Sequence, residues 1–138
     1  MTKLQTKTLA AAAVLLLGAA TVFAQTPDFG KREYESNCAV CHGKEGKGNG
    51  PYAGYLTKAA TDLTQMAKKN GGVFPLNRAY EVIEGAGPGH GTRDMPVWGQ
   101  DYRVKAAEYY IDVPYNAEAY VRTRILALAE YLSRLQAK

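Results

Sequence analysis

The sequence has few side chains that bind metals or act as nucleophiles. Among 138 residues it holds two cysteines, Cys38 and Cys41, and two histidines, His42 and His90. A disulfide between cysteines three residues apart would close a tiny loop and stabilise little. The net charge is only +4, and no basic run alternates with aromatic residues, so nothing indicates nucleic-acid binding. No strand-like alternation is present either, which predicts an all-α chain rich in loops.

Long apolar runs are also missing, except at the N-terminus. Lys3 and Lys7 frame the start of an apolar segment at 9–17, which is too short to span a bilayer. The letters VFA at 22–24 then match the small-residue pattern of a signal-peptidase site. We therefore expect a signal peptide at 1–24 and one domain at 25–138, exported to the periplasm without a membrane span.

Capping residues and apolar spacing predict five helices. Asp28 favours the start of the first, and Asn116 is the N-cap expected for the last. The predicted ranges are 28–37, 52–58, 63–69, 77–84 and 117–136. In the last helix, apolar residues recur at steps of three and four and predict one buried face. These residues are Val121, Ile125, Leu128, Leu132 and Leu135.

Cys38, Cys41 and His42 form the motif C-x-x-C-H, which is the signature of covalent haem attachment. Thiols at this spacing can reach the two vinyl groups of a porphyrin, and the adjacent imidazole can then bind iron. A thioredoxin-type dithiol would need a βαβ setting, which is missing. Zinc would need His90 as a fourth ligand, and adjacent Cys41 and His42 fit a tetrahedron poorly. The motif predicts one haem c with its iron, and zinc and a disulfide remain the alternatives.

Four motifs follow one another along the chain: CAVCHG at 38–43, GKGNGP at 46–51, DLT at 62–64 and HGTRDMPVWG at 90–99. With them the chain resembles the small monohaem class I c-type cytochromes. The resemblance implies short helices and loops around one haem, with the N- and C-terminal helices crossing. Gly30, Tyr34 and Tyr131 match the family's residues at that crossing, whereas residues 100–116 match its pattern least and look like an insertion.

The resemblance also implies the remaining haem contacts. Met95 stands where the family has its axial methionine, and Pro96 favours the extended backbone suited to a ligand loop. His90 and Met66 are the alternatives for the sixth ligand, with Met66 better suited to filling the core. The carbonyl of Pro51 is expected to accept a hydrogen bond from the His42 ring. Arg93 and Trp98 could donate hydrogen bonds to the haem propionates.

A haem held by His42 and Met95 has no open coordination position, and no catalytic carboxylate pair or nucleophile with a base is evident. The family resemblance therefore implies a one-electron carrier and not an enzyme, with redox proteins as donor and acceptor. Two alternatives remain. One is a cytochrome subunit of an exported dehydrogenase or oxidase complex, and the other is a ligand-binding sensor with an open sixth site.

Overall fold

A computed structural model of the chain describes residues 27–86, 95–112 and 115–138. Within these ranges the protein is all-helical and no strand is present, which confirms the predicted fold class. The predicted signal peptide lies outside the described residues. The α-helices are α1 (Phe29–Asn37), α2 (Ala39–His42), α3 (Met66–Lys69), α4 (Leu76–Glu84), α5 (Trp98–Tyr109) and α6 (Ala117–Arg134). Two short 3-10 helices cover Ala53–Tyr55 and Leu63–Gln65.

Helices α1 and α6 cross at Gly30, as the sequence predicts. A Cβ added to Gly30 would lie 2.1 Å from the carbonyl oxygen of Ala127 and 2.9 Å from the Cβ of Tyr131. Only glycine lets the two backbones approach this closely. One turn further along α1, the rings of Tyr34 and Tyr131 pack with centroids 5.2 Å apart. This crossing fixes the orientation of α1, and the haem motif begins at the residue that follows it.

The apolar face predicted for α6 forms the centre of the core. Val121, Ile125, Leu128 and Leu132 are buried, and Leu135 packs against them partly buried. The side chain of Asn116 accepts a hydrogen bond from the backbone N–H of Ala119 at 3.1 Å, which confirms the predicted N-cap. The core also takes Ile83 from α4 and Tyr102 from α5, so three helices pack on α6.

Two predicted elements differ from the structure. The helix expected at 52–58 is a single 3-10 turn, Ala53–Tyr55, and Gly54 within it disfavours a longer helix. Residues 100–116, for which the sequence predicts no helix, contribute most of α5. Trp98, Tyr102 and Ala106 recur at intervals of four on its inner face. In the part of the chain that the structure describes, no helix combines the length and apolar character needed to cross a membrane.

Candidate functional site

A cavity of about 350 Å³ opens between the haem motif, the loop at 56–63 and the start of α5. Its size falls within the range of small-molecule and cofactor pockets. Most of its wall is apolar. The lining residues are Asn37, Cys38, Cys41, His42, Leu56, Lys58, Ala59, Ala60, Thr61, Leu63, Met66, Arg78, Val82, Met95, Pro96 and Trp98.

Both cysteines face this cavity as free thiols. Cys38 ends α1 and Cys41 lies in the single turn of α2, so the bend between two helices sets the spacing of their sulfurs. Burial, followed by the charge of Glu33, raises the pKa of the Cys38 thiol to about 12. A thiol with so high a pKa stays protonated when no metal is bound, which is unlike the reactive thiolate of a redox dithiol.

His42 is buried at the end of α2 and faces the same cavity. Its Nδ1 lies 3.0 Å from the carbonyl oxygen of Thr61. A carbonyl can only accept, so the proton is on Nδ1 and the lone pair of Nε2 is left for a metal. Burial lowers the pKa of His42, and the bond to Thr61 offsets part of this effect. The imidazole is therefore held neutral and oriented, as an iron ligand must be.

The acceptor for His42 differs from the one expected. The family resemblance implies the carbonyl of Pro51, but in the structure Pro51 is exposed and the carbonyl of Thr61 accepts instead. The loop that contains Pro51 binds the motif through its backbone: the N–H of Gly50 donates to Cys41 at 3.0 Å and that of Tyr52 to Val40 at 2.9 Å. The loop thus holds the backbone of the haem motif, whereas the hydrogen bond to the His42 ring comes from Thr61, in the segment that follows the loop.

A Cβ on Gly50 would lie 2.4 Å from the carbonyl oxygen of Val40 and 2.6 Å from that of Ala39. This close approach explains why the loop has glycine beside the motif. On the other side of the motif, the Tyr34 hydroxyl donates to the carbonyl oxygen of Gly43 at 2.6 Å. Both contacts fix the turn that presents the thiols and the imidazole to one cavity.

The structure places Met95, Pro96 and Trp98 in the cavity wall, so the predicted axial methionine shares the cavity with His42. Met66 lines the same cavity and is partly buried, so it contacts the space for the cofactor and not only the protein core. Trp98 packs against Tyr102 with ring centroids 6.3 Å apart. The other two predicted contacts, His90 and Arg93, lie outside the described residues.

Sequence reasoning missed two cationic residues of the cavity wall, Lys58 and Arg78. Among the described lining residues there is no carboxylate, so the charged side chains of the wall are both cationic. A large apolar group that carries acidic substituents would match this lining. This role is only weakly indicated by the sequence, because a lysine in a loop and an arginine on a helix are more often exposed to solvent.

The donor set fits a covalently attached haem. Two thiols, one neutral imidazole and the thioethers of Met66 and Met95 line one largely apolar cavity that also holds cationic side chains. In the described part of the chain, no cluster of three or more His, Cys, Asp or Glu side chains could hold a metal ion by itself. The arrangement suits a macrocycle anchored at its edge by Cys38 and Cys41, with His42 available on one face.

The comparison with protein families agrees with this geometry. The cytochrome c family model matches residues 28–136, which is most of the chain. No curated protein and no solved structure gives a significant match. The chain therefore belongs to the cytochrome c family, and its cofactor is a covalently bound haem c with iron.

Proposed function

We propose that the protein is an exported one-electron carrier whose haem iron is held by His42 and Met95 in both oxidation states. The observation that supports this most directly is that Met95 lies in the wall of the cavity that His42, Cys38 and Cys41 also line. When bound, the haem supplies a reversible one-electron couple, and two protein ligands leave no open position for a substrate. The protein would then exchange electrons and catalyse no reaction of its own.

The chain's own residues have distinct tasks in this proposal. Cys38 and Cys41 anchor the cofactor through thioethers, which prevents its loss. Thr61 keeps the His42 ring in one orientation, so little rearrangement accompanies a change of charge at the metal. Trp98, at the start of α5, lines the cavity together with Met95 and Pro96.

Lys58 and Arg78 are proposed to face the haem propionates. Both line the cavity, and cationic groups stabilise carboxylates in a partly desolvated setting. Arg93, which lies outside the described residues, remains a prediction for the same task. The prediction rests on its place in the sequence, two residues before Met95.

A direct test of the carrier function is whether the iron has an open position. We expect the ferrous protein to leave carbon monoxide unbound at neutral pH, because Met95 occupies the sixth site. The absorption spectrum before and after exposure to carbon monoxide measures this. Ready binding by the unaltered protein would contradict the carrier function and favour ligand sensing or catalysis at an open haem.

Export is the second part of the proposal. It is supported by the sequence alone: Lys3 and Lys7, the short apolar segment at 9–17, and the cleavage pattern at 22–24. We expect the mature protein to start at Gln25 or within a residue or two of it. N-terminal sequencing of protein from the periplasmic fraction checks this, and recovery of an intact Met1 in the membrane fraction would favour an uncleaved anchor.

A further inference from the structure

A buried polar cluster lies in the core beside the first haem-binding cysteine. Glu33, on α1, is only 9% exposed and forms an ion pair with Arg124 of α6. Asn37, one turn later, lies with its Nδ2 3.4 Å from the other oxygen of the Glu33 carboxylate, to which it donates. Asn37 and Cys38 both line the haem cavity. A single side chain thus connects the Glu33 carboxylate to the cavity wall.

Aromatic rings surround the Arg124 guanidinium. It lies 4.6 Å from the centre of the Tyr120 ring and 5.9 Å from that of Tyr102. Tyr102 is almost fully buried, and its pKa is raised by burial first and by the Glu33 carboxylate next. The same carboxylate contributes to the raised pKa of the Cys38 thiol. Through Asn37, which directly precedes Cys38, the Glu33 carboxylate is thus linked to the residue through which the haem is attached.

The ion pair is a costly way of joining α1 to α6. A buried charge loses its hydration, so an ion pair that contains one is often no more stabilising than apolar residues of similar size. Here the Glu33 carboxylate is the buried partner, whereas the Arg124 side chain is 30% exposed. The two helices already meet at the Gly30 crossing, and an outer ion pair joins them as well, with Asp28 and Arg134 2.7 Å apart. Stability alone therefore does not account for this ion pair, which Asn37 connects to the haem cavity.

We propose that the Glu33–Arg124 pair sets the reduction potential of the haem, with Glu33 favouring the ferric state and Arg124 offsetting it. The ferric haem carries one more positive charge than the ferrous haem, so a nearby carboxylate stabilises it and lowers the potential. In a poorly hydrated environment such an interaction is screened weakly. The inference rests on the covalent haem at Cys38 and is independent of which residue is the sixth ligand.

The test is a set of reduction potentials measured by spectroelectrochemical titration of the intact holoprotein. We expect Glu33→Gln to raise the potential and Arg124→Met to lower it, whereas the double variant returns close to the original value. Each single change should alter the equilibrium constant with a fixed redox partner by on the order of tenfold, equivalent to about 59 mV for one electron. Arg124→Lys, which keeps the charge, should leave the potential nearly unchanged.

Asp28→Asn is the matched control, because it removes a carboxylate from an ion pair between the same two helices. Asparagine caps a helix as well as aspartate does, so the variant should fold. Asp28 is partly exposed to solvent, so the reduction potential of the haem in Asp28→Asn should stay at the original value. An equal effect of Glu33→Gln and Asp28→Asn would overturn the proposal. So would shifts of the same sign in Glu33→Gln and Arg124→Met, because they would indicate general loosening of the core.

Folding of the variants does not decide the outcome. Glutamine is nearly isosteric with glutamate and keeps an oxygen for Asn37, so Glu33→Gln and its control suffice if Arg124→Met fails to fold. An unchanged ferric absorption spectrum shows that the axial ligands are retained in each variant. If the sixth ligand proves to be another residue, the carrier proposal changes, but the opposite shifts of Glu33→Gln and Arg124→Met are still expected.

Discussion

Met95→Ala is expected to remove the sixth iron ligand and convert a closed haem into an open one. The weak long-wavelength sulfur-to-iron band of the ferric protein should disappear, and the ferrous protein should bind carbon monoxide. Thioether sulfur is a soft ligand that favours ferrous iron, so its loss should also lower the reduction potential. We expect a fall of more than ~59 mV, which is a tenfold change in the equilibrium constant for one electron. Absorption spectroscopy and a redox titration measure all three effects.

Met66→Ala is the matched control, since Met66 is the second thioether in the cavity wall. Truncation of Met66 should leave the sulfur-to-iron band and the exclusion of carbon monoxide unchanged. It should lower the free energy of unfolding by about 2 kcal/mol or more, as truncation of a methionine in contact with apolar neighbours does. Loss of the band in Met66→Ala and its retention in Met95→Ala would transfer the ligand to Met66. Loss of ligation in His90→Ala alone would instead indicate a bis-histidine haem of low potential.

Gly30→Ala should destabilise the holoprotein strongly, although this change usually favours a helix by about 0.5–1 kcal/mol. The new Cβ would lie 2.1 Å from a backbone oxygen of α6, which cannot rotate away as a side chain can. The helices must separate, and Tyr34 and Tyr131 with them. We expect the free energy of unfolding to fall by about 3 kcal/mol or more, at the upper end of overpacking effects. Denaturant titration followed by the haem absorption measures this.

Gly54→Ala provides the comparison for Gly30→Ala. A Cβ at Gly54 meets no atom within 4 Å, so the same chemical change should be neutral or slightly stabilising there. Equal denaturation midpoints for the two variants would contradict the close packing of α1 against α6. A shift confined to Gly30→Ala would support it.

Local chemistry made the haem-binding motif and the last helix predictable from sequence. Cys38, Cys41 and His42 are contiguous, and their spacing alone specifies how they can meet a porphyrin. The long α6 has a clear apolar period and an N-cap, so its buried face could be assigned residue by residue. Gly30 could be assigned through the family resemblance, because a glycine inside a helix needs a close neighbour to explain it.

The features that were missed depend on backbone atoms or on weak patterns. Thr61 acts through its carbonyl oxygen, which every residue type has, so its side chain gave no signal. Helix α5 contains Gly99 as its second residue and buries small Ala106, and these small residues weaken its apolar period. Asp101 and Lys105, whose charged atoms lie 2.7 Å apart at a spacing of four residues, were a usable sign of this helix.

The crossing of α1 and α6 joins segments that are synthesised at different times. The ion pair between Asp28 and Arg134 spans 106 residues of sequence, and the haem motif follows α1 directly. At typical rates of synthesis, roughly 5 to 20 seconds pass between Cys41 and the end of α6. During this interval α1 lacks α6, its main packing partner. Docking of α6 therefore completes the core last, after every other described helix of the chain has been made.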